Sequence, residues 1–507
     1  MGLKSAPGLR TITTVPIEYA SLPCDEALVR AAPRAGAPCP ASLARWVLAA
    51  TILGSGMTFI DGTAVNVVLP ILAAQLDASQ SDLQWIVEAY MLLLTSLMLV
   101  GGSLGDRYGR RRVFIIGTTL FAIASAWCGL APGVGQLIVA RAAQGAGAAL
   151  LVPGSLAIIS ATFNERERGA AIGTWAAGTS IAAGGGPVLG GWLVELLSWR
   201  WVFLINLPLA ALVVWIAAAR LPESGGEGRF GHLDWRGALL ATMGLGALVS
   251  GLVRGGSHGL GDPAAVGAAL IGALLLVAFV LVERRLDRAS GSDGADAAML
   301  PLRLFSSATF VGANLLTVFL YGALAIAMFV LPFTLIERHG YSVVAAASAL
   351  LPFVVVMFLL SRWAGQLMDR YGPRPPLVAG PLVAAAGYVL MSRVALDGDY
   401  PTAVLPAVVV MSMGMAVSVT PLTTTVMTAV DDRHAGIASG INNAISRLAS
   451  LLAVALVGLL SAGAFAAALD RVAFAAAGLS ALAAASAAAL IRPAQPQTPG
   501  QQPPDPR

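Results

Sequence analysis

"GSLGDRYGRRR", residues 102–112, sets five charged side chains into a chain that is otherwise apolar. A second stretch, "GQLMDRYGPRP" at residues 365–375, repeats its Asp-Arg-Tyr-Gly core and the glycine four places upstream. One charged hinge kept twice in like surroundings points to internal duplication. Of the 507 residues, 57% are hydrophobic and only 11% charged, whereas a soluble domain carries roughly 25% charged residues. Too few charges remain to wet a surface, so most of the chain is solvated by lipid.

A bilayer core about 30 Å thick takes about 20 apolar residues per helix. Apolar runs between charged or Gly/Pro-rich breaks give fourteen candidate spans. They lie near 46–70, 83–104, 113–131, 135–161, 168–194, 200–219, 237–255, 264–283, 308–336, 343–367, 376–394, 401–430, 435–462 and 471–491. Helices follow because lipid offers no partner for an open strand edge, and the alternating pattern of an outer-membrane barrel is missing. The expected fold class is therefore an all-α polytopic membrane protein.

The charged motif follows the second span and its echo follows the tenth. Two six-helix bundles then occupy 45–220 and 301–491, with a linker and two central inserted helices in 221–300. Such duplication is typical of secondary transporters. Disordered cytoplasmic tails are expected at 1–44 and 492–507, the first without the apolar core of a signal peptide. A cytoplasmic N-terminus leaves only Arg200, Arg254, Arg338, Arg393 and Arg471 outside, and Arg141 and Arg447 within the membrane, of the 31 Lys and Arg. The positive-inside rule thus puts both termini in the cytoplasm.

Other chemistries find little support. Cys24, Cys39 and Cys128 suggest neither a disulfide framework nor a metal site. The histidines (His232, His258, His339, His434) fall in expected loops, and the basic residues are too dispersed for a nucleic-acid surface. The single lysine is Lys4, and no phosphate-binding loop, Gly-x-Ser-x-Gly or His-Glu-x-x-His occurs. That argues against an ATP-driven pump and against an enzyme.

The chain resembles the major facilitator superfamily, and within it the fourteen-helix drug:proton antiporters of the EmrB/QacA type. Gly102, Asp106, Arg107, Gly109, Arg110 and Arg111 match the family's loop motif. "LIVARAAQGAGAA" (137–149) matches its fourth-helix motif, with Arg141, Gln144, Gly145 and Gly147 in register. "IDGTAVNVVLP" (60–70) and "WRWVFLINLP" (199–208) mark the fourteen-helix type, and Gly173, Gly186, Pro187, Gly190 and Gly191 form the fifth-helix antiporter motif. The resemblance implies a major facilitator fold in a bacterial inner membrane. It also implies proton-coupled export of amphipathic, often cationic, small molecules, with no cofactor beyond the proton gradient. An adaptor and outer-membrane channel are left open. The alternatives are a proton-coupled uptake symporter and a non-transporting membrane sensor.

By the same resemblance, Asp106 and Arg110 latch one bundle to the other in one conformation of the cycle, with Asp369 and Arg374 as a degraded counterpart. Four ionisable residues are expected inside the membrane: Asp61, Glu88, Arg141 and Arg447. Each costs about 2.5–3.5 kcal/mol at mid-bilayer, so each is functional or paired. At about 1.5 Å per residue, Asp61, Glu88 and Arg141 lie at similar depth in the outer half. Helices one and four line the central cavity in this fold, which makes Asp61 the expected proton-coupling acid and Arg141 its modulator. Glu88 is either a second acid facing substrate or the partner of Arg447. Phe59, Tyr90, Tyr321 and Met328 are candidates for an apolar substrate surface.

Overall fold

A computed structural model describes residues 41–163, 165–224, 234–289, 302–395, 398–430, 435–461 and 468–492. The expected tails lie outside these residues, apart from 41–44 and Arg492. The first helix begins at Ala41, four residues before the expected bundle boundary.

All regular structure among the described residues is helical. The first bundle contains α1 (Ala41–Leu76), α2 (Gln80–Tyr108), α3 (Arg110–Leu130), α4 (Val134–Thr162), α5 (Glu165–Leu196) and α6. The last runs as Arg200–Leu204 and, past Ile205, as Asn206–Arg220. Two further helices follow, α7 (Trp235–His258) and α8 (Pro263–Ala289). The second bundle contains α9 (Ala308–Phe333), α10 (Val343–Ser348 continued by Leu351–Tyr371), α11 (Arg374–Met391), α12 (Leu405–Thr428), α13 (Ala435–Ser461) and α14 (Leu469–Leu490).

Twelve stretches among the described residues are long and apolar enough to cross a membrane, where fourteen spans were expected. α2 and α5 are not among these stretches, and each contains residues whose side chains lie outside the described set. α2 carries Asp82, Gln84 and Glu88 near one end and Arg107 at the other. In α5 a charged first turn, "ERER", precedes the apolar stretch Ile181–Leu196.

Pairing of helices repeats between the bundles. α1 packs on α5 and α6 as α9 packs on α13 and α14. α4 packs on α2 and α3 as α12 packs on α10 and α11. The duplicated motif repeats in backbone geometry too. α2 breaks from α3 at Gly109 (φ 102°), and α10 breaks from α11 at Gly372 (φ 76°). Only glycine holds such torsions without strain, so the Asp-Arg-Tyr-Gly stretch reverses the chain at the same point in each half.

The inserted pair packs at the seam between bundles. Leu245, Val249 and Val253 of α7 form one buried cluster with Leu451 and Ala455 of α13, against Trp85 and Leu92 of α2. α8 covers α7 and leaves Leu270, Ile271, Leu274 and Val277 exposed. Such a face suits lipid.

The core is continuous between bundles at one end only. Near the end remote from loop 109–112, Val65, Leu69, Leu72, Ile86, Leu137 and Phe203 share a buried cluster with the second bundle. Toward the arginine-rich end, the first bundle's core (Val47, Leu94, Phe114, Ile158, Val213) is built from its own helices. Contact is also polar at the closed end. Gln84 Nε2 donates to the Val454 carbonyl at 3.1 Å, and the Val344 amide donates to Glu195 Oε1 at 2.9 Å.

Gly109 generates a test. A Cβ there would lie 2.7 Å from Glu223 Oε1, in addition to the torsional strain. Gly109→Ala is expected to cost about 1–3 kcal/mol and to lower the thermal midpoint of detergent-solubilised protein, measured by size-exclusion after heating.

Candidate functional site

Five helices converge on Asp61. It lies in α1, fully buried, and makes an ion pair with Arg141 of α4, itself 1% exposed. Asp61 Oδ2 accepts from Arg141 Nη1. Asp61 Oδ1 accepts from Gln144 Nε2 at 2.8 Å and from Asn206 Nδ2, on α6, at 3.3 Å. Ser125 of α3 accepts from both amides, at 2.7 Å from Gln144 and 3.3 Å from Asn206.

Arg141 is held from several sides. Its Nε donates to the Ile86 carbonyl on α2 at 3.1 Å, and its Nη1 also donates to Gln144 Oε1 at 2.6 Å. The guanidinium lies 4.2 Å from the Tyr90 ring centroid and 5.8 Å from that of Phe203. Arg141 and Gln144 are three apart on one helix, so both reach the same carboxylate from adjacent turns. Burial alone would penalise each charge by several kcal/mol, and only a fully hydrogen-bonded pair offsets that. The network supplies such a pair.

Gln144, Asn206 and Ser125 were not expected as site residues. Gln144 and Asn206 fall inside sequence motifs that gave no role to either, whereas Ser125 carries no local signal at all. Cys128 is buried beside the network, its thiol 3.7 Å from Gln144 Oε1.

Tyr90 was expected on an apolar substrate surface. It is instead 2% exposed, donates to the Thr58 carbonyl at 3.2 Å, and stacks beneath Arg141. It belongs to the ion-pair site. Phe59 is half-buried beside Arg447, and Tyr321 and Met328 are half-buried on α9.

No ion pair joins Glu88 to Arg447. Both Glu88 carboxyl oxygens are buried without a hydrogen-bond partner. The residue sits one turn from Gln84 on α2, between Trp85 and Leu92, which face α7 and α13. Arg447 points toward α1, its Cζ 5.7 Å from the Phe59 ring centroid.

The side chains of Asp106 and Asp369 lie outside the described residues. The arginines beside them make the following contacts among the described residues. Arg110 N donates to the Ser224 carbonyl at 2.9 Å, and Arg110 Nη1 to the Ala157 carbonyl at 3.2 Å. Arg111 N donates to Glu223 Oε1 at 3.0 Å, and its Nη1 to the Leu221 carbonyl at 2.9 Å. Glu223 also lies 3.6 Å from Arg111 Nε and from Arg112 Nε. The start of α3 thus grips the chain just past α6. Arg374 repeats the arrangement, donating to the Ala488 carbonyl at the end of α14. Arg107 is exposed over its neighbour Tyr108, and Gly102 packs near Pro153 of α4.

The antiporter motif forms a close-contact face. Gly186 lies against Ile60 and Thr63, and Gly190 against Ala64, all on α1. Gly191 lies against Val343 and Val344 of α10 in the other bundle, while Gly184 opposes Val354. Pro187 is buried among them, and Gly173 has open space. Small residues let three helices meet here at backbone distance.

Comparison with known proteins agrees with this architecture. The model of the Major Facilitator Superfamily matches residues 51–231 and 235–454. Multidrug resistance protein Stp of Mycobacterium tuberculosis is 35% identical over 416 residues, covering 81% of this chain and 74% of that protein. Puromycin resistance protein pur8 of Streptomyces alboniger is 35% identical over 426 residues, covering 83% of this chain and 82% of the relative. Among solved structures, a bacterial homologue of the human lysosomal transporter Spinster, inward-facing and unoccupied, aligns with a TM-score of 0.64. It is 18% identical and covers 88% of this chain and 96% of its own, a likeness of fold.

The ion pair predicts an asymmetry. Arg141→Met leaves a buried uncompensated carboxylate and is expected to cost about 3–5 kcal/mol. Asp61→Asn combined with Arg141→Met removes both charges and should recover most of that loss, read as thermal midpoints of the two variants side by side.

Proposed function

The chain belongs to the major facilitator superfamily, and on that premise we propose that it is a secondary active exporter, coupling inward movement of protons to efflux of amphipathic small molecules. The observation that carries this reading is the buried Asp61–Arg141 pair on α1 and α4. A carboxylate that is ionised beside a guanidinium can be neutralised by a proton, which frees the arginine. Each half of that exchange changes the charge inside the first bundle, and so the free energy of the conformation that encloses it.

The cycle runs as follows under this reading. With the arginine-rich end in the cytoplasm, the end closed by the shared core is the outer one. A proton entering from outside in the opposite conformation binds Asp61 and breaks the ion pair. On return to the conformation described here, the proton leaves Asp61 toward the cytoplasm and Arg141 re-forms the pair. Cargo bound between the bundles moves outward in the other half of the cycle. Gln144, Asn206 and Ser125 hold the carboxylate in place so that the proton has one fixed acceptor. Glu88 would serve as an accessory acid.

The direction of transport rests on the relatives' names and on the glycine face of α5, because the fold itself serves both import and export. α2 and α5 are assigned as spans like the other twelve, since each packs between spanning helices, which gives fourteen crossings. Both termini are then cytoplasmic, in a bacterial inner membrane. The gradient itself is the only energy source required, with no cofactor. The membrane and the small-molecule cargo are the partners assigned; an adaptor is not required by any feature of the site.

Transport in proteoliposomes under an imposed pH gradient, with a panel of acidic, neutral and basic fluorescent amphiphiles, tests the assignment. Wild type should accumulate at least one of them against its gradient. Asp61→Asn should lose gradient-driven accumulation by tenfold or more while downhill exchange of the same compound persists. Unchanged accumulation in the variant would remove Asp61 from coupling.

A further inference from the structure

Arg447 is the charge left over once the site is accounted for. It lies in α13 of the second bundle, thirteenth in the helix from Ala435. At about 1.5 Å per residue, that places it about 18 Å from the arginine-rich end, well within the membrane. Its side chain crosses toward the first bundle and lies against Phe59 of α1, with Tyr90 within electrostatic reach. No carboxylate, carbonyl or hydroxyl accepts from it among the described residues, and its nitrogens are not sealed in protein. The surrounding acids are otherwise placed. Asp61 is held by Arg141 and fully buried, and Glu88 faces the α7–α13 side of α2.

The position matters as much as the charge. The bundles share a buried apolar core at one end, and toward the arginine-rich end the first bundle's core is built from its own helices. Arg447 and Phe59 come from opposite bundles and meet with the guanidinium 5.7 Å from the ring centroid, and both are half-buried. An unmatched cation inside a membrane is costly, and its cost is recovered when an anion with matching geometry arrives. A guanidinium binds a carboxylate through two parallel hydrogen bonds, a geometry an ammonium cannot offer. The adjoining aromatic ring supplies the apolar contact for the rest of such a molecule.

We propose that Arg447, with Phe59 beside it, is the recognition site for an acidic group on the cargo, so that this chain carries amphipathic aromatic acids in preference to amphipathic amines. The inference rests on the exporter reading above and specifies its substrate class. The ligand is a soluble acidic amphiphile that bridges the two bundles, its carboxylate on α13 and its apolar body against α1. Because the contact joins both halves, occupancy bears on whether they can separate.

Binding to purified full-length protein in a neutral detergent tests this with two probes of one shape, anthracene carboxylate and aminomethylanthracene. Wild type should bind the carboxylate at least tenfold more tightly than the amine. Arg447→Gln should lose that preference, Arg447→Lys should retain part of it, and Arg447→Glu should reverse it. Retained thermal midpoints in the lysine variant establish that the fold is intact. A preference for the amine in wild type, binding of neither probe, or a preference unchanged in Arg447→Gln would overturn the proposal. Displacement of the carboxylate by added anionic phospholipid would also overturn it, since the site would then take a lipid headgroup. This binding is measured without a proton gradient, whereas the coupling assignment is read from gradient-driven accumulation, so a failure of one is read separately from a failure of the other.

Discussion

Burying Asp61 beside Arg141 is the constraint from which much of the first bundle follows. Neither charge survives alone in an apolar interior, and the pair is favourable only if the remaining donors and acceptors are also satisfied. That requirement recruits Gln144 from α4, Asn206 from α6, Ser125 from α3 and a backbone carbonyl of α2. Five helices are therefore locked to one carboxylate. A proton added there changes the bonding of all of them together, which makes a small chemical event sufficient to bias a large rearrangement.

The second constraint is how closely the bundles approach. At the closed end α5 presents glycines to α1 and α10, so backbones meet where side chains would keep them apart. Gln84 and Glu195 add single hydrogen bonds across that seam. The charged loops do the opposite work. Arg110 to Arg112 and Arg374 each tie the third helix of a bundle to the end of its sixth. The inserted α7 sits against α2 and α13, where the halves adjoin, and α8 packs on α7.

Much of this was legible in the chain itself. The repeated Asp-Arg-Tyr-Gly stretch carried the duplication, and Gly109 and Gly372 turn out to share a positive φ, the physical reason for the conserved spacing within this sequence. Asp61 and Arg141 stood out because a charge in an apolar run is expensive. What hid were the residues without such a cost. Ser125 and Asn206 are small and polar, common in any membrane helix, and only their distances to Asp61 reveal them. Tyr90 looked like a surface for cargo because hydropathy does not say which way a ring points. Motif spacing located the arginines, but which backbone carbonyls they reach is a matter of tertiary distance.

The sequence by itself determined that the chain lives in lipid, that it is helical and internally doubled, and which few ionisable groups the membrane must accommodate. Those conclusions depend on composition and period, and both are local properties. The tertiary structure decided which of those groups are neutralised. It paired Asp61 with Arg141, left Glu88 without Arg447, and turned Arg447 toward Phe59 of the opposite bundle. A partner is a matter of distance and direction across helices far apart in the chain, and no local pattern encodes it.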